Sequence, residues 1–254
     1  MSLAIDIAWI VTVILVAVRL GAVLLLTPIF SLGSVPGTVR VFFIFGLAVV
    51  LVAGLGVGAR VSVETVAGLS TAIVSEAIIG ALLAFGLFTA FATFMLAGRV
   101  VDMQLGFSVA NLIDPTTRTQ APLLGSFLNV VAVVAFFAID GHHMIIRGLA
   151  FSLEQIPPGT ALPALDLGAV VVQFGAMFLY AVALVAPVIF TLLLIDIVIA
   201  VVARTMPQVN VFIVSLPLKI FVGLVMLAIS LRYMSPVMAR IYEVLFFYWN
   251  TLLG

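Results

Sequence analysis

Two apolar runs in this chain are longer than a bilayer requires. Val66–Leu96 holds 31 residues and Gly168–Ala203 holds 36, with a single acidic residue in each. A hydrocarbon core about 30 Å thick needs only about twenty helical residues. As continuous helices the two runs would span about 46 and 54 Å. Tilt absorbs part of that excess. The remainder requires that the helices bend or project beyond the lipid into protein. Pro187 offers one bend, because proline removes an i to i−4 hydrogen bond.

Four further apolar segments share this pattern: Ala8–Phe30, Val41–Gly58, Pro122–Ile139 and Val211–Leu231. A last piece, "PVMARIYEVLFFYWNTLL", reads as an amphipathic C-terminal helix. No soluble domain or low-complexity linker separates the segments, so residues 1–254 read as one membrane-embedded helical unit. Composition agrees: 65% of residues are apolar and 8% are charged, against about 25% charged in soluble domains. Mean hydropathy is +1.45. The expected fold class is an all-α membrane protein. The start, "MSLAIDIAWIVTV", has no basic region and no small-residue cleavage site after a short apolar core, so it reads as a retained helix.

Charge narrows the function classes. Ten basic and ten acidic residues leave no net charge and no basic patch for nucleic acid. Six simple spans with the N-terminus outside would place Arg40, Arg99, Arg118 and Arg204 inside, and Arg60, Arg147, Arg232 and Arg240 outside. Four against four gives no orientation by the positive-inside rule. Two readings stand: a small count is noisy, or the segments do not all span in the usual sense.

Ionisable residues inside apolar helices are costly, and are by default functional or paired. Arg19, Glu76, Asp196 and Lys219 qualify. Asp196 lies eleven residues before Pro207 and Lys219 twelve after it. In an antiparallel hairpin both then sit about 17 Å from the turn, so a structural ion pair is sterically natural, with a proton relay as the other reading. Arg19 and Glu76 form a second candidate pair, each with an inter-subunit partner as the alternative.

Enzyme signatures are missing. No HExxH, GxSxG, phosphate-binding loop or dinucleotide fingerprint occurs. There is no cysteine, and so no thiolate metal site. His142 and His143 follow Asp140 and Gly141, but adjacent helical residues point about 100° apart. A catalytic zinc wants three converging ligands, so the "DGHH" run reads as a polar helix end, with Gly141 breaking the fourth segment. Gly54 and Gly58 form a GxxxG spacing that suggests close helix contact at most.

The most unusual stretch is "DMQLGFSVANLIDPTTRTQAPLLG", Asp102 to Gly125. Asp114-Pro115 disfavours continuing a helix, and hydrogen-bonding groups run on to Arg118 and Gln120. An ordinary solvent loop is one reading. The other starts from its apolar front half: Phe107, Val109, Leu112 and Ile113 sit among Gly106, Ser108 and Asn111. Irregular backbone at membrane depth survives only against protein or a water-filled passage. Such a segment suits a constriction.

The run "AGRVVDMQLGFSVANLIDPTTRTQAPLLGSFLNVVAVVAFFAIDGHHMIIRGLAFSLEQIPPG", Ala97 to Gly159, resembles the FliR family of flagellar type III export proteins and their injectisome relatives. "RLGAVLLLTPIFSLGSVPGTVR" and "RTMPQVNVFIVSLPLKIFVGL" extend the likeness over essentially the whole chain, and "GHH" favours the flagellar branch. The resemblance implies a non-enzymatic, cofactor-free subunit of a helical pore at the flagellar basal body, in the bacterial inner membrane. It implies FliP-like and FliQ-like subunits as partners, FlhB-like and FlhA-like proteins nearby, and unfolded flagellar proteins as cargo. Residues of about 1–165 would be FliP-like, and 166–254 a FliQ-like hairpin with a C-terminal helix. The region around Gly106 to Gln120 would be the loop that closes the pore. Tilted helices lying partly above the bilayer would explain the over-long segments and the missing charge bias. No methionine ring is carried over, because that element belongs to the FliP partner. The competing reading is a secondary transporter of a small solute, using Arg19, Glu76, Asp196 and Lys219 as coupling groups. Absent inverted repeats weigh against it.

Overall fold

The computed structural model describes residues 7–27, 35–59, 66–107, 122–163, 165–206 and 211–254. Among them every regular element is an α-helix: α1 (Ile7–Leu25), α2 (Gly37–Leu55), α3 (Val66–Gln104), α4 (Leu123–Ala138), α5 (Gly141–Gln155), α6 (Leu167–Thr205), α7 (Val211–Leu231) and α8 (Ser235–Leu253). α1, α2, α3 and α6 are each long and apolar enough to cross a membrane. The broken pairs α4–α5 and α7–α8 raise that number to six.

The two over-long runs are single helices of 39 residues each, about 58 Å at helical rise. α3 continues through "AGRVVDMQ" because nothing there breaks a helix. It stops at Gly106, whose φ of 82° is the left-handed conformation that glycine adopts without a Cβ penalty. α6 runs unbroken through Pro187, and Thr191 Oγ1 donates to the Pro187 carbonyl at 2.8 Å. At its start the Asp166 carboxylate accepts from the Gly168 N–H at 2.8 Å, an N-terminal cap.

The "DGHH" run differs from its sequence reading. The chain turns at Asp140, which takes φ 58°, and Gly141 is the buried first residue of α5. The histidines therefore open a helix rather than close one. Asp tolerates the left-handed region better than most residues, which leaves Gly141 free to begin the new helix.

The chain forms two compact units. The first comprises Met1–Thr89, Asp140–Phe174 and Glu243–Gly254. Here α1 packs along α2. α2 buries only Ile44, Ala48, Leu51 and Val52, one stripe at helical spacing. The end of α8 lies against α3: Trp249 Nε1 donates to the Leu83 carbonyl at 3.0 Å, and Tyr248 Oη to the Leu82 carbonyl at 2.9 Å. Glycines make room for these rings. A Cβ on Gly148 would meet the Trp249 ring at 2.3 Å, and one on Gly86 would meet the Tyr248 ring at 2.7 Å.

The second unit comprises Ala90–Ile139 and Gly175–Tyr242. Its centre is aromatic. The Tyr242 ring lies 5.4 Å from Phe136, 5.9 Å from Phe94 and 6.1 Å from Phe91, centroid to centroid, in the range where aromatic pairs attract. Its hydroxyl donates to the Ala132 carbonyl at 2.7 Å. At the other end of α4 two backbones touch, since a Cβ on Gly98 would lie 2.4 Å from the Cα of Gly125.

α6 and α2 are the least buried of the long apolar helices: 17% and 22% of their most apolar stretches are buried, against 61% for α3. Leu179, Phe190, Leu194 and Val198 are among the exposed side chains of α6. An apolar face of that extent requires lipid or another protein against it.

The glycine contacts predict an asymmetric pair of substitutions. Gly98→Ala drives a methyl into the α4 backbone and should destabilise the fold by about 1–3 kcal/mol. Gly46→Ala, where nothing lies within 4 Å, should be neutral or slightly stabilising. Thermal unfolding of the detergent-purified protein checks both, and equal melting of the two variants would contradict the close approach.

Candidate functional site

Among the described residues the most completely satisfied polar group is Arg19 of α1, which has no solvent exposure. Its guanidinium has five donors in a rigid fork, and all five are used. Nε donates to Glu76 Oε2 at 2.6 Å, and one Nη to Glu76 Oε1 at 3.1 Å. The same Nη donates to the Ile156 carbonyl at 2.9 Å. The other Nη donates to the Ser152 carbonyl at 2.8 Å and to Ser152 Oγ at 3.3 Å. The two carbonyls lie at the C-terminal end of α5, where the helix dipole favours a cation.

Glu76 of α3 is equally buried and reaches further. Oε1 accepts from the Gly159 N–H at 2.9 Å, and neighbouring Ser75 Oγ donates to the Thr160 carbonyl at 3.1 Å. These contacts pin the turn "PPGT". Thr160 N–H closes it onto the Pro157 carbonyl, with Pro158 and Gly159 in the middle and Gly159 at φ 80°. That is the sequence pattern of a type II turn, whose third residue requires a positive φ. Gly80, one helical turn after Glu76, lets α1 come close: a Cβ there would be 2.6 Å from the Arg19 carbonyl. The network therefore ties α1, α3 and α5 with its following turn.

A second buried carboxylate sits near the other end of α3. Asp102 is 4% exposed and aims at the N-terminus of α4. It accepts from the Leu124 N–H at 3.1 and 3.2 Å, and from the Gly125 N–H at 3.2 Å. Helix N-termini carry unpaired N–H groups and partial positive charge, so a carboxylate satisfies both. Pro122 occupies the N-cap and has no side-chain acceptor of its own. Asp102 and Ser152 were not among the functional residues read from the sequence. For Asp102, the signal available was Gly98 four residues earlier on the same helix face. For Ser152 there was none.

The other predicted site residues fall as follows. Asp196 of α6 and Lys219 of α7 are in contact within the second unit, partly exposed at 39% and 22% of their side chains. Gly106 and Phe107 are half-buried, and a Cβ on Gly106 would be 3.3 Å from Leu216. Ser108, Val109, Asn111, Leu112, Ile113, Asp114, Pro115, Arg118 and Gln120 lie outside the described residues, as does the Pro207 turn.

The two histidines need a correction. Their rings approach to 4.1 Å between centroids, although adjacent helical residues diverge. They occupy the first turn of α5, where no preceding turn restricts their rotamers. His143 Nδ1 is 3.6 Å from Asp140 Oδ1, and ligand atoms of Asp140, His142 and His143 lie within 4.8 Å of one another. The three donors that the sequence reading kept apart therefore converge, matching the number of protein ligands of a catalytic zinc and falling one short of a closed structural set.

Comparison with known proteins gives a uniform result. The family described as bacterial export proteins, family 1, matches residues 10–245. The chain is 33% identical to flagellar biosynthetic protein FliR of Bacillus subtilis over 91% of its length and 90% of the relative's. It is 29% identical to FliR of Caulobacter vibrioides over 85% and 87%. It is 30% identical to the surface presentation of antigens protein SpaR of Shigella flexneri over 68% of each chain.

The Arg19 network predicts a graded loss. Arg19→Ala strands a buried carboxylate and should cost about 3–5 kcal/mol. Arg19→Lys keeps the charge but offers three donors instead of five, so it should recover only part of the loss. Melting temperatures of the purified variants check this. A lysine variant melting with the parent would contradict the five-contact geometry.

Proposed function

Because the chain belongs to the bacterial export proteins, family 1, we propose that it is a non-enzymatic subunit of the flagellar type III protein-export gate in the bacterial inner membrane. The observation that carries this reading is the family match over residues 10–245, together with a 33% identical FliR relative matched over 90% of its length. Its cargo is the set of unfolded flagellar proteins, and it works without a cofactor. Energy comes from elsewhere in the apparatus, since the chain has no nucleotide-binding motif.

The subunit joins FliP-like and FliQ-like chains in a pore at the flagellar basal body, with FlhB-like and FlhA-like proteins adjoining. Residues of about 1–165 play the FliP-like part and 166–254 the FliQ-like part. The exposed apolar face of α6 supports this, because a helix buried so little needs neighbours of its own polarity. The half-exposed Asp196–Lys219 pair supports it too. Paired charge on an apolar hairpin is tolerable where protein rather than acyl chain covers it.

The segment from Gly106 to Gln120 plugs the pore at rest. What supports this is its sequence, apolar side chains interleaved with hydrogen-bonding groups and an Asp114-Pro115 step that disfavours a helix. The transporter alternative asks Arg19 and Glu76 to exchange partners during a cycle. Arg19 has no donor to spare and Glu76 already accepts three hydrogen bonds, so neither offers a vacant site for a solute or a coupling ion.

Two measurements test the proposal. Purified alone, the chain should be poorly dispersed, and co-expression with FliP-like chains should give a stable complex. A monodisperse chain that binds a small solute by itself would favour a transporter. Deleting residues 108–120 should make cells permeable to ions and small molecules, and unchanged conductance would argue against the plug.

A further inference from the structure

The corner at Asp140 carries chemistry that the export role leaves unused. The chain holds two histidines and no cysteine, and the histidines stand side by side at 142 and 143. Asp140 turns the chain at φ 58° and occupies the N-cap of α5, yet its carboxylate makes no capping hydrogen bond to that helix. An N-cap aspartate ordinarily spends its oxygens on those N–H groups. Here Oδ1 faces His143 instead, 3.6 Å from Nδ1. The His142 and His143 ring centroids are 4.1 Å apart. One ligand atom from each of the three residues lies within 4.8 Å of the other two.

Distances decide between a solvated helix start and a metal site. The 3.6 Å separation of Asp140 and His143 is too long for a hydrogen bond. Metal bonds of about 2.1 Å to nitrogen and oxygen set tetrahedral ligands about 3.4 Å apart. That pair is therefore already near ligand spacing. Side-chain rotation closes the 4.8 Å outer bound, since the Asp140 and His143 side chains are 75% and 60% exposed. A helix start carries about half a positive charge, which opposes a cation. The full negative charge of a carboxylate outweighs it, and imidazole binds a metal in its neutral form.

We propose that Asp140, His142 and His143 bind one divalent transition ion of the zinc, copper or nickel type. Two imidazoles and a carboxylate suit such ions, whereas Mg2+ and Ca2+ take oxygen ligands. Three protein ligands on an exposed corner leave a coordination position for water or for a donor from a neighbouring chain. A bound ion clamps Asp140 to the first turn of α5. The site is independent of the export role proposed above.

The experiment titrates Zn2+ into the full-length protein, purified through a histidine-free tag, and follows binding by calorimetry. One Zn2+ per chain should bind, and excess Mg2+ should not displace it. His143→Ala and Asp140→Asn should each weaken binding by at least about ten-fold, since even the outer-shell partners of a metal contribute that much. Both variants spare the fold: His143 is exposed, and asparagine accepts the left-handed conformation of residue 140. Glu154→Gln removes an exposed carboxylate near the other end of α5 and should bind like the parent. A parent that takes up no Zn2+ saturably overturns the site, as does undiminished binding by His143→Ala. An equal loss in Glu154→Gln would show diffuse attraction to carboxylates and would refute it as well. Where the chain is stable only with co-expressed partners, parent and His143→Ala complexes are compared for bound zinc. One zinc fewer per copy of this chain supports the site, and equal zinc content refutes it.

Discussion

A guanidinium inside an apolar helix bundle has no low-cost half-measure. Each unsatisfied donor would cost about 1–3 kcal/mol or more, and an unneutralised charge several times that. Arg19 therefore dictates much of what surrounds it. Glu76 must sit opposite on α3, Gly80 must let α1 approach, and α5 must end where its last carbonyls meet the remaining N–H groups. The "PPGT" turn follows, since Glu76 and Ser75 hold Gly159 and Thr160. One residue thus specifies how three helices and a turn of the first unit come together. An apolar side chain of the same volume would leave those contacts open to sliding.

α3 uses the same device twice. Glu76 and Gly80 are four residues apart, as are Gly98 and Asp102, so in each case the carboxylate and the glycine share one face. In both cases the glycine admits a neighbouring backbone; Asp102 then binds backbone N–H groups of that same neighbouring helix, whereas Glu76 binds the Arg19 guanidinium of α1 and the Gly159 N–H of the turn after α5. Close approach alone would be weakly directional in an apolar setting. A buried carboxylate adds direction because its lone pairs must be filled. The helix carries one such carboxylate near each end.

The outer surface follows a different logic. α6 contributes little to the interior and presents leucine, valine and phenylalanine over much of its length. In a member of an export family with membrane-length helices, an apolar face of this extent meets lipid or protein rather than water. The Asp196–Lys219 contact gives that hairpin a fixed register without closing its apolar face.

The sequence alone determined the class of molecule. Its apolar runs required helices longer than a bilayer needs, and the order of motifs identified the export family. Counting eleven and twelve residues from Pro207 was enough to bring Asp196 and Lys219 to one depth, because a hairpin is a local geometry. The chain path around "DGHH" was less legible, since a left-handed aspartate leaves no signature that a glycine beside it does not mask. What only the tertiary structure decided was where Arg19 and Asp102 spend their hydrogen bonds. Arg19 reaches carbonyls 133 and 137 positions away, and Asp102 takes amides 22 and 23 positions on. Every residue has a carbonyl and nearly every one an N–H, so backbone partners carry no identity in the sequence. Only the packing of helices against one another selects them.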